Sequence, residues 1–187
     1  MRKLISIAVI ILALCAVAQL AAAQVLQANQ TTQITATKGE TIGVSVVTTN
    51  GAFNLDGDLS TQTANVAITT TWNLKPLRAS NVWVCATMPN PMNGNAGNGD
   101  SIPQSKVSAK ANGGSSVLMS AAQTQCAQTT GVLVNTYTLS PSSQGNHKNI
   151  SKADTLSLQL TPLTAADITN LQPDTYTGTI NIIAYTN

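Results

Sequence analysis

Short runs in which every second residue is apolar recur along most of this chain, with turn residues between them. The clearest is Asn65–Leu74, where small and β-branched side chains share one face with Trp72. A period of two places side chains on one face of a β-strand, whereas an α-helix has a period near 3.6. The runs lie at 33–37 with 42–47, 65–74, 81–88, 104–111, 116–121, 132–139, 155–161 and 176–185. They predict an all-β chain, an antiparallel immunoglobulin-like β-sandwich of about seven or eight strands.

Four local patterns add detail to this prediction. The run Asn81–Met88 is apolar on both faces, which favours a central strand. Asn112-Gly113-Gly114 lies between two alternating runs and indicates a hairpin. Pro89–Asp100 is rich in Gly and Asn and predicts a long exposed loop without regular structure. Thr164–Asn170 fits a single helical turn that Thr164 caps.

The closing segment Leu171–Asn187 predicts a turn followed by the last strand. Its core-facing set is Tyr176, Ile180, Ile182 and Ala184. The opposite face is polar at its start but ends in Ile183 and Tyr185, where an exposed face usually carries Thr or Lys. We therefore interpret Ile183 and Tyr185 as an assembly interface.

The first 23 residues have the pattern of a secretory signal peptide. Arg2 and Lys3 precede an apolar run, and three alanines stand just before Gln24. The alternatives are a membrane anchor, for which the apolar run is short, and a lipid-modified Cys15, for which the preceding Leu14 is large. We expect a signal peptide over 1–23, a single domain over 24–187, and a secreted protein in the periplasm, outside the cell or at the cell surface.

Removal of the signal peptide changes the charge of the chain. Without Arg2 and Lys3, seven basic residues remain against seven acidic ones, so the net charge is zero. The remaining lysines are scattered, which gives no electrostatic footprint for nucleic acid or an anionic membrane. We expect no nucleic-acid partner and no membrane contact beyond export. A net charge near zero also leaves little repulsion between copies.

Cys85 and Cys126 are the two cysteines left after that removal, and we predict a disulfide bond between them. The alternative is a metal pair, but the sole histidine, His147, lies in a predicted loop. Asp56-Gly57-Asp58 matches fragments of a calcium loop and is equally typical of a plain turn. We expect no metal and no cofactor.

Catalysis has little support in this sequence. A nucleophile triad needs a base, and His147 has no acidic neighbour in sequence. A pair of carboxylates remains the formal alternative, but most acidic residues fall at predicted turns or caps. We predict that the protein is not an enzyme and assign no catalytic residue.

Ligand binding is the alternative function. Sites for sugars and other small ligands offer an exposed aromatic ring beside a few polar groups. Core packing accounts for Trp72 and Tyr176, which leaves Trp83 and Phe53 as a possible ligand platform.

The segment DTLSLQLTPL…LQPDTYTGTINIIAYTN resembles the end of bacterial immunoglobulin-like and pilin-like surface domains of the spore coat protein U type. Their last strand follows a Pro-x-x-Tyr-x-x-Thr pattern, here Pro173, Tyr176 and Thr179. The match covers about thirty residues at the end of the chain. The resemblance implies a secreted β-sandwich that serves as a surface or coat subunit.

We therefore expect a secreted, non-catalytic structural subunit that self-associates by strand pairing. The expected partner is a second copy or an assembly chaperone, because an open strand edge accepts an added strand. The segment Gln24–Thr37 is the natural donor, although Val25 and Leu26 fall on opposite faces of it.

Overall fold

The computed structural model describes residues 39–48, 51–75, 80–97, 99–125, 129–140 and 146–186. The predicted signal peptide, the segment 24–37 and Cys126 lie outside the described residues. In the part that is described, no helix is long and apolar enough to cross a membrane.

The described residues form an all-β structure with antiparallel strand pairing. Its strands are β1 (Thr41–Thr48), β2 (Ala64–Asn73), β3 (Asn81–Thr87), β4 (Met92–Gly94), β5 (Ser101–Ile102), β6 (Ser108–Ala111), β7 (Ser116–Leu118), β8 (Val132–Thr138), β9 (Ile150–Gln159), β10 (Tyr176–Thr177) and β11 (Asn181–Thr186). A short 3₁₀ helix spans Gln104–Lys106, and helix α1 spans Ala165–Thr169.

The strands form three sheets. A five-stranded sheet has the order β1-β2-β9-β6-β7, a three-stranded sheet has the order β11-β3-β8, and a small sheet has the order β10-β4-β5. The chain therefore has eleven described strands instead of seven or eight. The difference comes mainly from short strands: β4 and β5 lie within or just after the segment predicted as an irregular loop, and β10 is separate from β11.

The five-stranded and three-stranded sheets enclose a common core. Along β2, buried and less buried residues alternate as the sequence predicted, with Ile68 and Trp72 on the buried face. Leu156 of β9 and Val84 of β3 are fully buried in the same interior as Ile68. The prediction that β3 is central is confirmed within its sheet, since β11 and β8 flank it.

The predicted hairpin turn and the predicted single helical turn are both confirmed. The β6–β7 hairpin turns at Asn112 and Gly113, whose φ angles are 50° and 72°, the positive values that a type I′ turn requires. Helix α1 begins with a capping box in which the Thr164 side chain accepts from the amide of Asp167, and the Asp167 side chain accepts from the amide of Thr164. These bonds satisfy amides that a helix start leaves free.

A buried carboxylate joins the two main sheets at one side. Asp154 of β9 is only 4% exposed. Its side chain accepts hydrogen bonds from the hydroxyl of Tyr137 at 2.6 Å and from the amides of Asn135 at 2.6 Å and Asn112 at 2.9 Å. Burial raises the pKa of Tyr137, and its hydrogen bond to Asp154 adds to that rise.

The bonds from Asn135 and Tyr137 join the two sheets, since these residues belong to β8 and Asp154 belongs to β9. β8 is the edge of the three-stranded sheet that lies opposite β11. The two sheets are therefore fastened together on the β8 side.

Candidate functional site

The opposite side of the two sheets is bordered by two edge strands. Among the described residues, β1 pairs only with β2, and β11 pairs only with β3. An edge strand presents unpaired backbone amides and carbonyls along its outer side. The groove between these two edges is a cavity at the end of β1 and the start of β11, and Cα atoms of the two strands come within 8 Å of each other.

β1 and β11 run in opposite directions across the groove. Val46 near the end of β1 lines the groove together with Ile180, which immediately precedes β11. The start of β1 pairs with Trp72, the end of β11 pairs with Val82, and these two residues pack in one small buried cluster. The end of each strand thus lies near the start of the other.

The groove is mainly apolar at the Val46 end. Its cavity there measures about 210 Å³. Its lining includes the side chains of Val46, Phe53, Met88, Met92, Ile180 and Ile182. A neighbouring recess shares Phe53 and Met92 with the cavity and adds polar groups from Asn54, Asp56, Asp174 and Thr175. The groove therefore offers one apolar pocket followed by a polar stretch.

Gly178 contributes to the room in this pocket because it has no side chain. A Cβ atom placed there would lie 2.7 Å from Met92 Cγ and 3.1 Å from Met88 Cε. Methionine side chains are unbranched and adapt their shape to what they contact. The pocket can therefore adjust to an incoming side chain.

The side chains on the inward face of β1 are much more exposed to solvent than those of its neighbour β2. Ile42 and Val46 pair with Trp72 and Ile68, which are buried, yet Ile42 is 38% and Val46 is 45% exposed. In a filled two-sheet interior, residues of this face would be covered like their partners. The described residues leave the β1 side of the interior open to solvent.

Ile183 and Tyr185, the predicted assembly interface, lie on the other face of β11 from Ile182. Tyr185 pairs with Trp83 of β3, and their rings are nearly parallel, with centroids 6.3 Å apart and planes at 3°. Ile183 pairs with Cys85, which is fully buried. The proposed partner of Cys85, Cys126, lies outside the described residues, so their bond stays a prediction.

The two residues of the predicted ligand platform are not brought together. Phe53 is partly buried, packs against the core and lines the groove. Trp83 projects from the opposite face of its sheet, since its neighbours Val82 and Val84 point into the interior. Trp83 has Tyr185 beside it instead, a pairing that follows from strand register and that the sequence pattern did not reveal.

Most carboxylates among the described residues accept hydrogen bonds from the backbone or from a nearby side chain. Asp174 accepts from the amide of Ala96 at 2.7 Å, which ties the loop after β4 to the segment before β10. Hydrogen bonds from Lys106 and Thr164 hold the pKa of Asp167 well below its usual range. Hydrogen bonds from Ser60 likewise lower the pKa of Asp58, within the loop that had also suggested calcium.

His147 is fully buried in the segment before β9, and its carbonyl accepts from the amide of Leu74 at 2.7 Å. Across the described ranges, no group of three or more His, Cys, Asp or Glu residues is placed to hold a metal ion.

The groove residues Phe53, Met88 and Met92 were not selected from the sequence, because they come from loops and strand ends that only the fold brings together. Ile180 and Ile182 were assigned to the core face of the last strand, and they are only partly buried at the open side of the interior. No family model, no curated protein and no solved structure matches the chain.

Proposed function

We propose that the protein is a secreted, non-catalytic structural subunit that self-associates by adding a strand along the free edge of β11. The observation that carries this proposal is the exposed inward face of β1, where Ile42 and Val46 are not covered and Val46 lines the groove. An added strand gains main-chain hydrogen bonds from the edge and buries apolar surface in the groove.

The proposal includes an immunoglobulin-like sandwich. The orders β1-β2-β9 and β11-β3-β8 correspond to strands A-B-E and F-C-C′ of that fold. The hydroxyl of Tyr176 donates to the carbonyl of Gln172 at 2.8 Å, as a tyrosine does at the corner before strand F. In this correspondence the described strands provide no strand G, whose place is beside β11.

Other parts of the proposal rest on the sequence. Export by the signal peptide would place the chain where Cys85 and Cys126 form a disulfide bond. The partner is a second copy, or a chaperone that holds the groove before assembly. A net charge of zero after removal of the signal peptide leaves little electrostatic repulsion against association.

Carbohydrate binding is the second candidate function, and the parallel rings of Trp83 and Tyr185 favour it. Tyr185 is exposed, and Thr136 of β8 lies beside Trp83 as an exposed polar neighbour. An aromatic surface with adjacent hydroxyl groups suits the apolar face and the hydroxyls of a sugar.

Light scattering of the exported chain across a wide concentration range tests the proposed function. We expect the average mass to rise with concentration beyond that of one chain. A mass of one chain at every concentration would overturn the assembly function and leave carbohydrate binding as the better candidate.

A further inference from the structure

We propose that the apolar cavity beside Val46 and the polar recess next to it form one binding site for a small organic cation that carries an aromatic ring. The ring lies in the apolar cavity, and the ammonium group lies in the recess beside Asp56 and Asp174. This inference goes beyond the proposed function and does not depend on it. Its grounds are the volume and lining of the two cavities, the charge of the recess, and the hydrogen bonds that hold the recess walls.

The two cavities share part of their lining and together have the size of a small-molecule site. Gly51, Phe53, Met92 and Gly178 line both of them. The apolar cavity measures about 210 Å³ and the recess about 470 Å³. Sites for small molecules in proteins measure roughly 300–1,000 Å³. A single molecule can therefore extend from the apolar cavity into the recess.

The apolar cavity suits an aromatic ring. An apolar protein cavity of about 150 Å³ holds one benzene molecule, so the volume of about 210 Å³ has room for a ring. Its lining contains Phe53 and the thioethers of Met88 and Met92. Methionine sulfur and aromatic side chains both make favourable contacts with a ring. We therefore assign the ring of the ligand to this end of the site.

The recess has a negative charge. Asp56 and Asp174 line it, and none of the described residues that line either cavity is Lys, Arg or His. Burial raises the pKa of Tyr176, which also lines the recess, and the negative charges of Asp100 and Asp174 add to that rise. Surroundings that disfavour a negative tyrosinate favour a cation. The recess therefore selects a positively charged group.

Asp174 is held in place and can still accept hydrogen bonds. Its Oδ2 accepts from the amide of Ala96 at 2.7 Å, and its Oδ1 accepts from the amide of Thr175 at 2.7 Å. An ionised carboxylate has about four acceptor positions. Each oxygen of Asp174 therefore has room for one further donor, such as an N–H of an ammonium group.

Hydrogen bonds hold both walls of the recess. On one wall, the Gln62 side chain accepts from the amide of Asn54 at 2.6 Å and donates to the carbonyl of Asn54 at 2.9 Å. On the other wall, β10 pairs with β4, and the Thr177 hydroxyl donates to the Asn95 side chain at 3.1 Å. Walls that are already ordered spare a ligand the entropic cost of ordering them.

NMR signals of the methionine methyl groups in the exported chain test the site, with 2-phenylethylamine as the probe and 2-phenylethanol as its neutral control. We expect the amine to bind with a dissociation constant of about 1 mM or below. Its ring should shift the methyl signals of Met88 and Met92, whereas Met119, which is fully buried and lies outside both linings, keeps its signal. The alcohol should bind at least about fivefold more weakly. A weaker affinity for the amine, or equal affinities for the two compounds, would overturn the proposal.

A matched pair of variants tests the charged end of the site. Asp56→Asn removes a carboxylate from the recess, whereas Asp58→Asn removes one from the same loop outside the lining. The second substitution keeps the Oδ1 atom that accepts both hydrogen bonds from Ser60. We expect Asp56→Asn to weaken binding of the amine by about threefold or more and Asp58→Asn to leave it unchanged. Equal effects of the two variants would overturn the position of the ammonium group.

A second pair tests the apolar end. Val46→Phe fills the cavity that Val46 lines, whereas Val47→Phe adds the same side chain on the opposite face of β1. We expect Val46→Phe to weaken binding of the amine by about tenfold or more and Val47→Phe to leave it unchanged. Equal binding by these two variants would overturn the position of the ring.

The titration is made at a concentration at which light scattering gives the mass of one chain. If the unsubstituted chain is assembled there, Ile42→Asp takes its place, because Ile42 is exposed on the same face of β1 and lies outside both linings. Binding of the amine by a chain that never assembles would support this inference and overturn the proposed function. Assembly of a chain that does not bind the amine would do the reverse.

Discussion

Replacement of Asp154 by alanine is expected to lower the free energy of unfolding by about 3 kcal/mol or more. Three donors lose their acceptor in this variant: the Tyr137 hydroxyl and the side-chain amides of Asn112 and Asn135. Asn135 and Tyr137 are half-buried, and each donor left there without a partner costs roughly 1–3 kcal/mol, whereas the exposed Asn112 can bind water instead. The loss is a large share of the 5–15 kcal/mol that stabilises a typical domain.

Urea unfolding of Asp154→Ala and of the unsubstituted chain measures this effect. Thr155→Ala is the matched control, because Thr155 is the next residue of β9 and is exposed. Its replacement leaves in place the hydrogen bonds that the Thr155 backbone makes with Asn112. It should change the free energy of unfolding by less than about 0.5 kcal/mol. A loss below about 1 kcal/mol in Asp154→Ala would show that the sheets are held on the β8 side by packing alone.

Replacement of Val46 by aspartate is expected to weaken self-association by about 100-fold or more. Val46 lines the apolar pocket and is 45% exposed in the described structure. Its replacement should therefore affect the folded single chain little. On assembly the added strand would remove the new carboxylate from water, at a cost of about 3 kcal/mol or more, and each 1.4 kcal/mol is tenfold in affinity.

Val47→Asp is the control for this variant. Val47 is the next residue of β1, is 63% exposed and points to the opposite face. The two variants carry the same charge in the same strand, so a general effect of charge would weaken both equally. Light scattering and thermal unfolding of both variants would show whether Val46→Asp acts on assembly without loss of the fold. If Val46→Asp assembles as strongly as the unsubstituted chain, the contact between copies lies elsewhere on the surface.

Alternation in the sequence predicted the faces of the strands but not what covers them. β1 shows this limit most clearly. The pattern placed Ile42 and Val46 on a core face, and they do share that face with Trp72 and Ile68. Their exposure depends on which distant segments pack against the inward face of β1, and no local pattern encodes that.

Asp154 illustrates a signal that was present in the sequence and was not used. It has the same parity as Leu156, Leu158 and Leu160 in the run 154–160, so the alternation placed its side chain on the buried face. The sequence could not reveal its three donors, because Asn112 and Tyr137 lie far from it along the chain.

The β6–β7 turn and the start of helix α1 were predicted correctly because both depend on residues close together in the chain. The φ angles at Asn112 and Gly113 follow from what these two residues tolerate, and the capping box of Thr164 and Asp167 spans one helical turn. β4 was missed for a related reason. Met92–Gly94 has no strand pattern of its own, and its pairing with β10 and β5 forms only when distant segments meet.

Amide hydrogen exchange of β11 before and after assembly tests the central claim most directly. An added strand bonds the amides that point to the free edge, about every second residue of Asn181–Thr186. We predict that these amides exchange at least about tenfold more slowly in the assembled protein, while those of β7, the edge strand at the far end of the other sheet, keep their rates. Unchanged exchange along β11 in assembled protein would contradict strand addition at this edge.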